Sequence, residues 1–332
     1  KNSSAIFIAA ILIFANCKNN AGEAAKEDPK SKFYDSIIKL GNGFLDVFTS
    51  FGGLIADALG YKADPKKSEV KTYFDSLAKQ LEKTKTDLSN LPKANNADSG
   101  TTAAKGGEAA NAVESAIKEV SVWLGEMAKA AAEAGAAATG GDTAVGKVVK
   151  VSGSTAAKGG EEKSVNGIAR GIKGIVEAAE KAGEEGKLKA EGAGGAGGAG
   201  NNADAGKLFA KKKNNNDGGG DAAAARKAAA AVSAVSGEQI IKAIVDAAKS
   251  GEKAAVDDVK KAKDPIEAAI GSTGEQNAAA FDEAAMKKDA QIAAAIVLRG
   301  MAKDGKFAVK KPNSSTLAAV TSGSELGTKL DH

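Results

Sequence analysis

Apolar residues recur three and four positions apart in several separate stretches of the chain, and that spacing places them on one face of a helix. Between Pro29 and Gly60 the positions are Phe33, Tyr34, Ile37, Ile38, Phe44, Leu45, Phe48, Phe51, Leu54, Ile55, Ala58 and Leu59. Gly41, Gly43, Gly52 and Gly53 fall inside this run. Each is about 1 kcal/mol worse than alanine in a helix, so a kink or a break into two helices is expected. After Pro65 a second stripe of Val70, Tyr73, Phe74, Leu77, Leu81 and Leu88 stops near Asn90 and Pro92. The two stripes predict an antiparallel helical hairpin. Amphipathic spacing returns in Val113, Ala116, Ile117, Val120, Leu124, Met127, Ala128 and Ala131, then in Val165, Ile168, Ile172, Ile175, Val176 and Ala179, then in Ile240, Ile241, Ile244, Val245 and Ala248.

The residues around these stripes mark where helices start. Asp28-Pro29, Asp64-Pro65 and Asp264-Pro265 each read as an N-cap followed by proline at the first helical position. A further helix is expected to begin at Asp221, and Ser236-Gly237-Glu238-Gln239 has the spacing of a capping box. The run 292–298, Ile-Ala-Ala-Ala-Ile-Val-Leu, is apolar on every face of a helix and is flanked by Lys287-Lys288-Asp289 and Arg299. Such a helix must be enclosed by other helices of the chain or by a second copy in a homodimer. Gly305 can stop it.

Between the stripes the pattern disappears. Thr102-Ala103-Ala104-Lys105-Gly106-Gly107-Glu108 recurs as 155–161 ahead of a second amphipathic run, which reads as a linker that launches helices. Residues 191–202 are almost all glycine and alanine, and 211–220 is lysine, asparagine, aspartate and glycine. Neither stretch can bury an apolar face, so both are expected as loops or disorder and the second as freely replaceable. Gly167 and Gly171 give small-residue spacing, but Arg170 and Lys173 beside them favour close packing in a bundle over contact in lipid.

Composition narrows the function more than the fold. Aromatic residues make up 4% of the chain and glycine contributes 40 of 332 residues, which implies a thin core of small helix contacts. A net charge of +4 from 46 basic and 42 acidic residues gives no strong field and no indication of nucleic-acid binding. The single histidine is His332, so catalysis by Ser-His or Cys-His pairs and His/Cys zinc sites have no residues to use. Residues 141–148, Gly-Asp-Thr-Ala-Val-Gly-Lys-Val, resemble a phosphate-binding loop, but Val148 stands where a hydroxyl must reach Mg²⁺. The Gly192–Gly197 match to a dinucleotide fingerprint follows no strand pattern and reads as low complexity. Glu161-Glu162, Glu184-Glu185 and Asp257-Asp258 read as solvated faces. No catalytic residue, metal site or cofactor is assigned. Lys211-Lys212-Lys213 and Lys260-Lys261 with Lys263 are the basic clusters available for an anionic glycan or matrix partner.

Cys17 is the only cysteine and directly follows the apolar run 6–14 and Ala15-Asn16, with Lys1 as a positive n-region. That is the layout of a bacterial lipoprotein signal ending on its lipidated residue, and the run is shorter than the ~18 residues needed to span a bilayer. The mature chain is expected to hang from a membrane through lipid on Cys17.

Residues 40–54, the strings KADPKKSEVK (62–71), LEKTKTDL (81–88) and AVSAVSGEQ (231–239), and above all MKKDAQIAAAIVLRGMAKDGKFAVK (286–310) resemble the variable large protein family of Borrelia surface lipoproteins. The resemblance implies an all-α, elongated helical bundle without enzymatic activity, lipid-anchored in the outer membrane and facing the exterior. It also implies long distal loops rich in glycine, lysine and asparagine, with the chain ends forming the membrane-proximal part. On that pattern 1–17 is the signal, 18–92 a membrane-proximal helical hairpin, 93–310 a variable cassette ending in the constant segment 286–310, and 311–332 an atypical tail with no family likeness. The variable loops would fall at 93–108, 151–163, 188–207 and 211–221. The function implied is antigenic variation by gene conversion to escape host antibodies; an adhesin for host matrix or glycosaminoglycans is the alternative.

Overall fold

The computed structural model describes residues 66–90, 103–181, 187–188 and 202–310, with backbone only for 103–113. Helix α1 spans Lys67–Ser89, α2 Ala103–Ala137 and α3 Glu162–Glu180. The second half of the chain holds α4 (Ala222–Ser233), α5 (Gly237–Ala248), α6 (Pro265–Ile270) and α7 (Asp289–Met301), with 3-10 turns at Ala203–Phe209, Val259–Lys261 and Ala285–Lys287. The architecture is mostly helical, as the periodicity predicts. One addition escapes that pattern: three-residue strands β1 (Val148–Lys150) and β2 (Phe307–Val309) pair in parallel, Val148 opposite Phe307 and Lys150 opposite Val309. Three residues are too few for an alternating signal to register.

The described residues fall into two compact units, the first made of 76–90, 103–129, 174–181 and 187, the second of 66–75, 130–173, 188 and 202–310. In the first, Leu77, Leu81, Leu88, Val120, Leu124, Met127, Ile175, Val176 and Ala179 are buried, which are positions of the predicted stripes. An exposed ion pair, Lys181 to Glu126 at 2.6 Å, joins the residue just after α3 to α2 there. The partner stripe before residue 66, with Asp28-Pro29 and Asp64-Pro65, lies outside the described residues.

In the second unit α7 is the central element and packs against α4, α5 and α6. Ile292, Ala293, Ala294, Ala295, Val297 and Leu298 are buried, whereas Ile296 is only partly covered. Helix starts follow the sequence signals. Asp264 accepts from the amides of Ile266 and Glu267 with Pro265 at the first helical position, Asp221 accepts from Ala224, and the Ser236–Gln239 capping box is complete. Gly167 and Gly171 let α3 approach α2 closely, since a Cβ at either would overlap Ala137 or Ala134.

The two copies of the repeated heptapeptide behave differently. In the first copy 103–108 is already helical, inside α2, so the linker reading fails there. The second copy is an extended connector to α3, and it is packed rather than loose. Gly160 N donates to Ala269 O at 2.9 Å and Glu161 N to Lys303 O at 2.8 Å, while a Cβ on Gly159 would overlap the Ile270 carbonyl. Among the stretches expected as variable loops, 203–207 lies in a 3-10 turn that buries Ala205, and Glu162 and Lys163 belong to α3.

Candidate functional site

Two cations in the second unit have no solvent exposure, Lys67 and Arg299, each at 0%. Arg299 does not flank the apolar run as a solvated charge. It lies inside α7, where its neighbours are main-chain carbonyls. Its Nε donates to Ala269 O at 3.1 Å and its Nη2 to Ala268 O at 2.7 Å, two carbonyls at the end of α6, and its Nη1 donates to Phe209 O at 3.1 Å. Helix ends leave carbonyls without helical partners, and a cation there satisfies them. The guanidinium carbon sits 4.3 Å from the Phe209 ring centroid, and that ring meets Phe281 and Phe307 edge-on at 5.4 and 5.2 Å. Desolvation lowers the Arg299 pKa to about 9, which leaves the charge in place at neutral pH. Gly271 closes the arrangement with φ of 84°, and a side chain there would run into Arg299 Nη2.

Lys67 opens α1. Its Nζ donates to Ala302 O at 2.5 Å and Gly305 O at 2.7 Å, just past α7. Burial pushes its pKa down to about 8, partly opposed by the Asp304 carboxylate, with Arg299 adding to the fall. The amides of Lys67 and Ser68 donate to Thr143 O and Gly141 O at 2.9 and 2.7 Å. The stretch spelled like a phosphate loop is thus a turn that receives the first amides of α1, and it leads into β1 rather than a helix. Two family-like strings, 62–71 and 286–310, meet through Lys67.

Three lysines of the basic clusters are engaged locally. Lys211 Nζ donates to Ser272 O and Thr273 O at 2.9 and 3.2 Å, Lys213 pairs with Glu275 at 3.2 Å, and Lys260 faces Asp282 at 3.6 Å. The Lys213 ammonium holds the Glu275 carboxyl below its ordinary range. Of the acidic pairs, Glu161 faces Lys303 at 3.3 Å and Asp258 caps the turn at Val259. Glu184-Glu185, Cys17 and His332 lie outside the described residues, as does Gly192–Gly197. Among the described residues there is no group of three or more His, Cys, Asp or Glu placed to hold a metal, and no single helix is long and apolar enough to cross a membrane.

The stretch 211–220 corrects the expectation that it adds nothing to the core. Residues 213–217 are exposed, but Gly218, Gly219 and Gly220 are buried. Gly220 N donates to Ala308 O at 2.9 Å and Lys310 N donates to Gly220 O at 2.8 Å, so this glycine lies beside β2 on the edge opposite β1. The contrast with 286–310 is marked: there only Lys287 and Asp304 are exposed, and no residue of α7 is. In the second unit the charges of Lys67 and Arg299 are turned onto main-chain carbonyls, and polar side chains lie exposed at 213–217.

Comparison with known proteins places the chain. The Borrelia lipoprotein family model matches residues 44–323. Variable large protein 17 of Borrelia hermsii is 36% identical over 322 residues, 97% of this chain and 83% of that protein, and variable large protein 4 of the same organism is 36% identical over 317 residues, 95% of this chain and 82% of that protein. Among solved structures, the Lyme disease variable surface antigen VlsE of Borrelia burgdorferi is 51% identical and superposes with a TM-score of 0.63, covering 90% of both chains.

Proposed function

Since the chain belongs to the Borrelia lipoprotein family, we propose that it is a surface antigen, anchored in the outer membrane by lipid on Cys17, whose exposed loops are replaced by gene conversion so that host antibodies lose their target. Support comes from one contrast within a chain 51% identical to a variable surface antigen. The largely buried segment 286–310 carries α7, which packs against α4, α5 and α6, while 213–217 exposes only polar side chains. Exchange at such a tip leaves core contacts intact, so sequence there is free to change under selection by antibodies. The protein acts by what it displays and carries out no reaction.

The test is to sequence the expressed locus in clones recovered at intervals from immune-competent and immune-deficient hosts. Changes that accumulate in 213–217 and comparable exposed loops, faster in competent hosts, are the expected outcome. Loops that stay unchanged through persistent infection of competent hosts would end the proposal. An adhesin for sulfated glycans has less to draw on, because Lys211, Lys213 and Lys260 are already held by neighbouring carbonyls and carboxylates.

A further inference from the structure

Residues 211–217 do not stand alone at the surface. Lys212 N donates to Gln276 O at 3.1 Å and Ala278 N donates to Asp217 O at 2.6 Å, so the backbone of 272–278 lies directly alongside. Lys211 Nζ is held by the Ser272 and Thr273 carbonyls, and the Lys213–Glu275 ion pair crosses the same seam. The tip is ordered from within as well. Asn214 O accepts from the amides of Asp217 and Gly218 at 3.2 and 2.8 Å, and Asn214 Oδ1 accepts from Asn216 N at 2.9 Å. Lys213, Asn214, Asn215, Asn216 and Asp217 are exposed, and so are Thr273, Gly274, Glu275 and Asn277.

Every exposed side chain on this strip is polar or absent, so an apolar partner has nothing to bury. A combining site rich in Tyr, Ser and Asn suits it, since such sites bind polar surfaces by hydrogen bonds and flat aromatic contacts. An antibody covers about 800 Å² of its antigen, roughly 20 to 30 residues. A loop of seven residues supplies only part of that, so a site centred on 211–217 must also cover the loop bonded to it. The shared backbone hydrogen bonds fix both loops before binding, which lowers the ordering cost.

We propose that 211–217 and 272–278 form one discontinuous antibody-binding surface, so that a change in either loop alters recognition of the other. The proposal rests on the surface-antigen reading and adds to it a second loop that the sequence pattern did not single out. One consequence is that exchange of either segment renews the epitope without the other changing.

Monoclonal antibodies raised against the folded full chain test it. Those that lose at least about tenfold in affinity on Asn215→Lys are retained. Most of these should also lose about tenfold or more on Asn277→Lys and on Thr273→Lys, and a linear peptide of 209–221 should not compete. Both substitutions alter exposed side chains, so the thermal unfolding midpoint should stay at the wild-type value; if one variant shifts, the other carries the comparison. Retained antibodies that bind both variants within about twofold of wild type, or that the peptide displaces, would overturn the composite surface. The antigen reading fails separately, on the sequences recovered from hosts, while this measurement needs only the purified chain.

Discussion

The amide of Gly220 donates to the carbonyl of Ala308 at 2.9 Å, and this contact fastens the end of a lysine- and asparagine-rich stretch to the middle of β2. Low complexity and structural indifference are therefore different properties. Gly219 has φ of 71°, and a Cβ there would press on Val151 and the Val309 backbone, while one on Gly220 would overlap Leu208. The tip is replaceable, and the three glycines behind it are not.

Replacing 213–216 by other polar residues should leave stability within about 0.5 kcal/mol of wild type, the usual scale for surface changes. Replacing Gly218, Gly219 and Gly220 by serines should cost on the order of 3 kcal/mol or more, combining a side chain at positive φ with overpacking. Equilibrium urea unfolding of the two variants separates them, and equal stability would show that the glycines are no anchor.

Arg299→Met keeps much of the volume but leaves Phe209 O and Ala268 O without their donor, while Ala269 O retains the Gly160 amide. At about 1 to 3 kcal/mol for each buried acceptor left unsatisfied, a loss of about 3 kcal/mol or more is expected. Arg299→Lys keeps the charge and reaches fewer carbonyls, so it should fall between. The ranking is read from thermal unfolding, and a Met variant as stable as wild type would remove the structural role assigned to the guanidinium.

Lys67 carries a pH signature. Its folded pKa of about 8 lies below the ordinary 10.5, chiefly through burial, so between those values the unfolded chain binds more protons. Stability contributed by this group is lowest below pH 8 and rises as pH climbs through 8 to 10.5. Across the whole window the gain is on the order of 3 kcal/mol or slightly more, at about 1.4 kcal/mol for each of the roughly 2.5 pKa units. Measured against Lys67→Met, the wild type should gain relative stability from pH 7.5 to 10, and a difference that is flat or opposite in sign would refute the burial argument.

On the proposed lipid anchor, Cys17→Ser should yield protein that no longer partitions into detergent and no longer reaches the cell surface, because Cys17 is the sole thiol and follows the apolar run 6–14. Phase partitioning with the nonionic detergent is the measurement, and an unchanged distribution would locate the anchor elsewhere.

Much of the helical layout was legible because its signals are local. Asp221, Ser236 with Gln239, and Asp264-Pro265 satisfy amides within three residues of themselves, and the buried stripes of α1 and α3 follow the helical period. What stayed hidden depends on distant partners. Lys67 is one of 46 basic residues, and nothing in its neighbourhood announces that its ammonium meets carbonyls 235 and 238 positions away. Arg299 did carry a hint, a charge directly after the apolar run 292–298, although the same pattern suits a solvated helix end. The repeated heptapeptide is identical in both places, so its helical first copy and extended second copy are decided outside those seven residues. Apolar spelling also overstated one position, since Ile296 is only partly covered.

Concealment of 286–310 follows from its packing and can be tested on cells. Met286, Ile292, Val297, Leu298, Arg299, Met301 and Phe307 are buried, and only Lys287 and Asp304 are exposed. An antibody needs about 800 Å² of accessible surface, which two exposed side chains cannot supply. Opening the segment would expose the faces of α4, α5 and α6 that α7 covers, at roughly 1.5 to 3 kcal/mol for each large aliphatic side chain released to water. Antibodies raised against a peptide of 286–310 should therefore bind denatured protein far better than protein on intact cells. By the same reasoning Ile292→Asp should destabilise the fold severely, and Ile296→Asp less so. Flow cytometry on live, unfixed cells decides the first point: strong labelling by the peptide antibodies would mean that the segment is displayed, and burial in the isolated chain would then say nothing about its concealment on the bacterium.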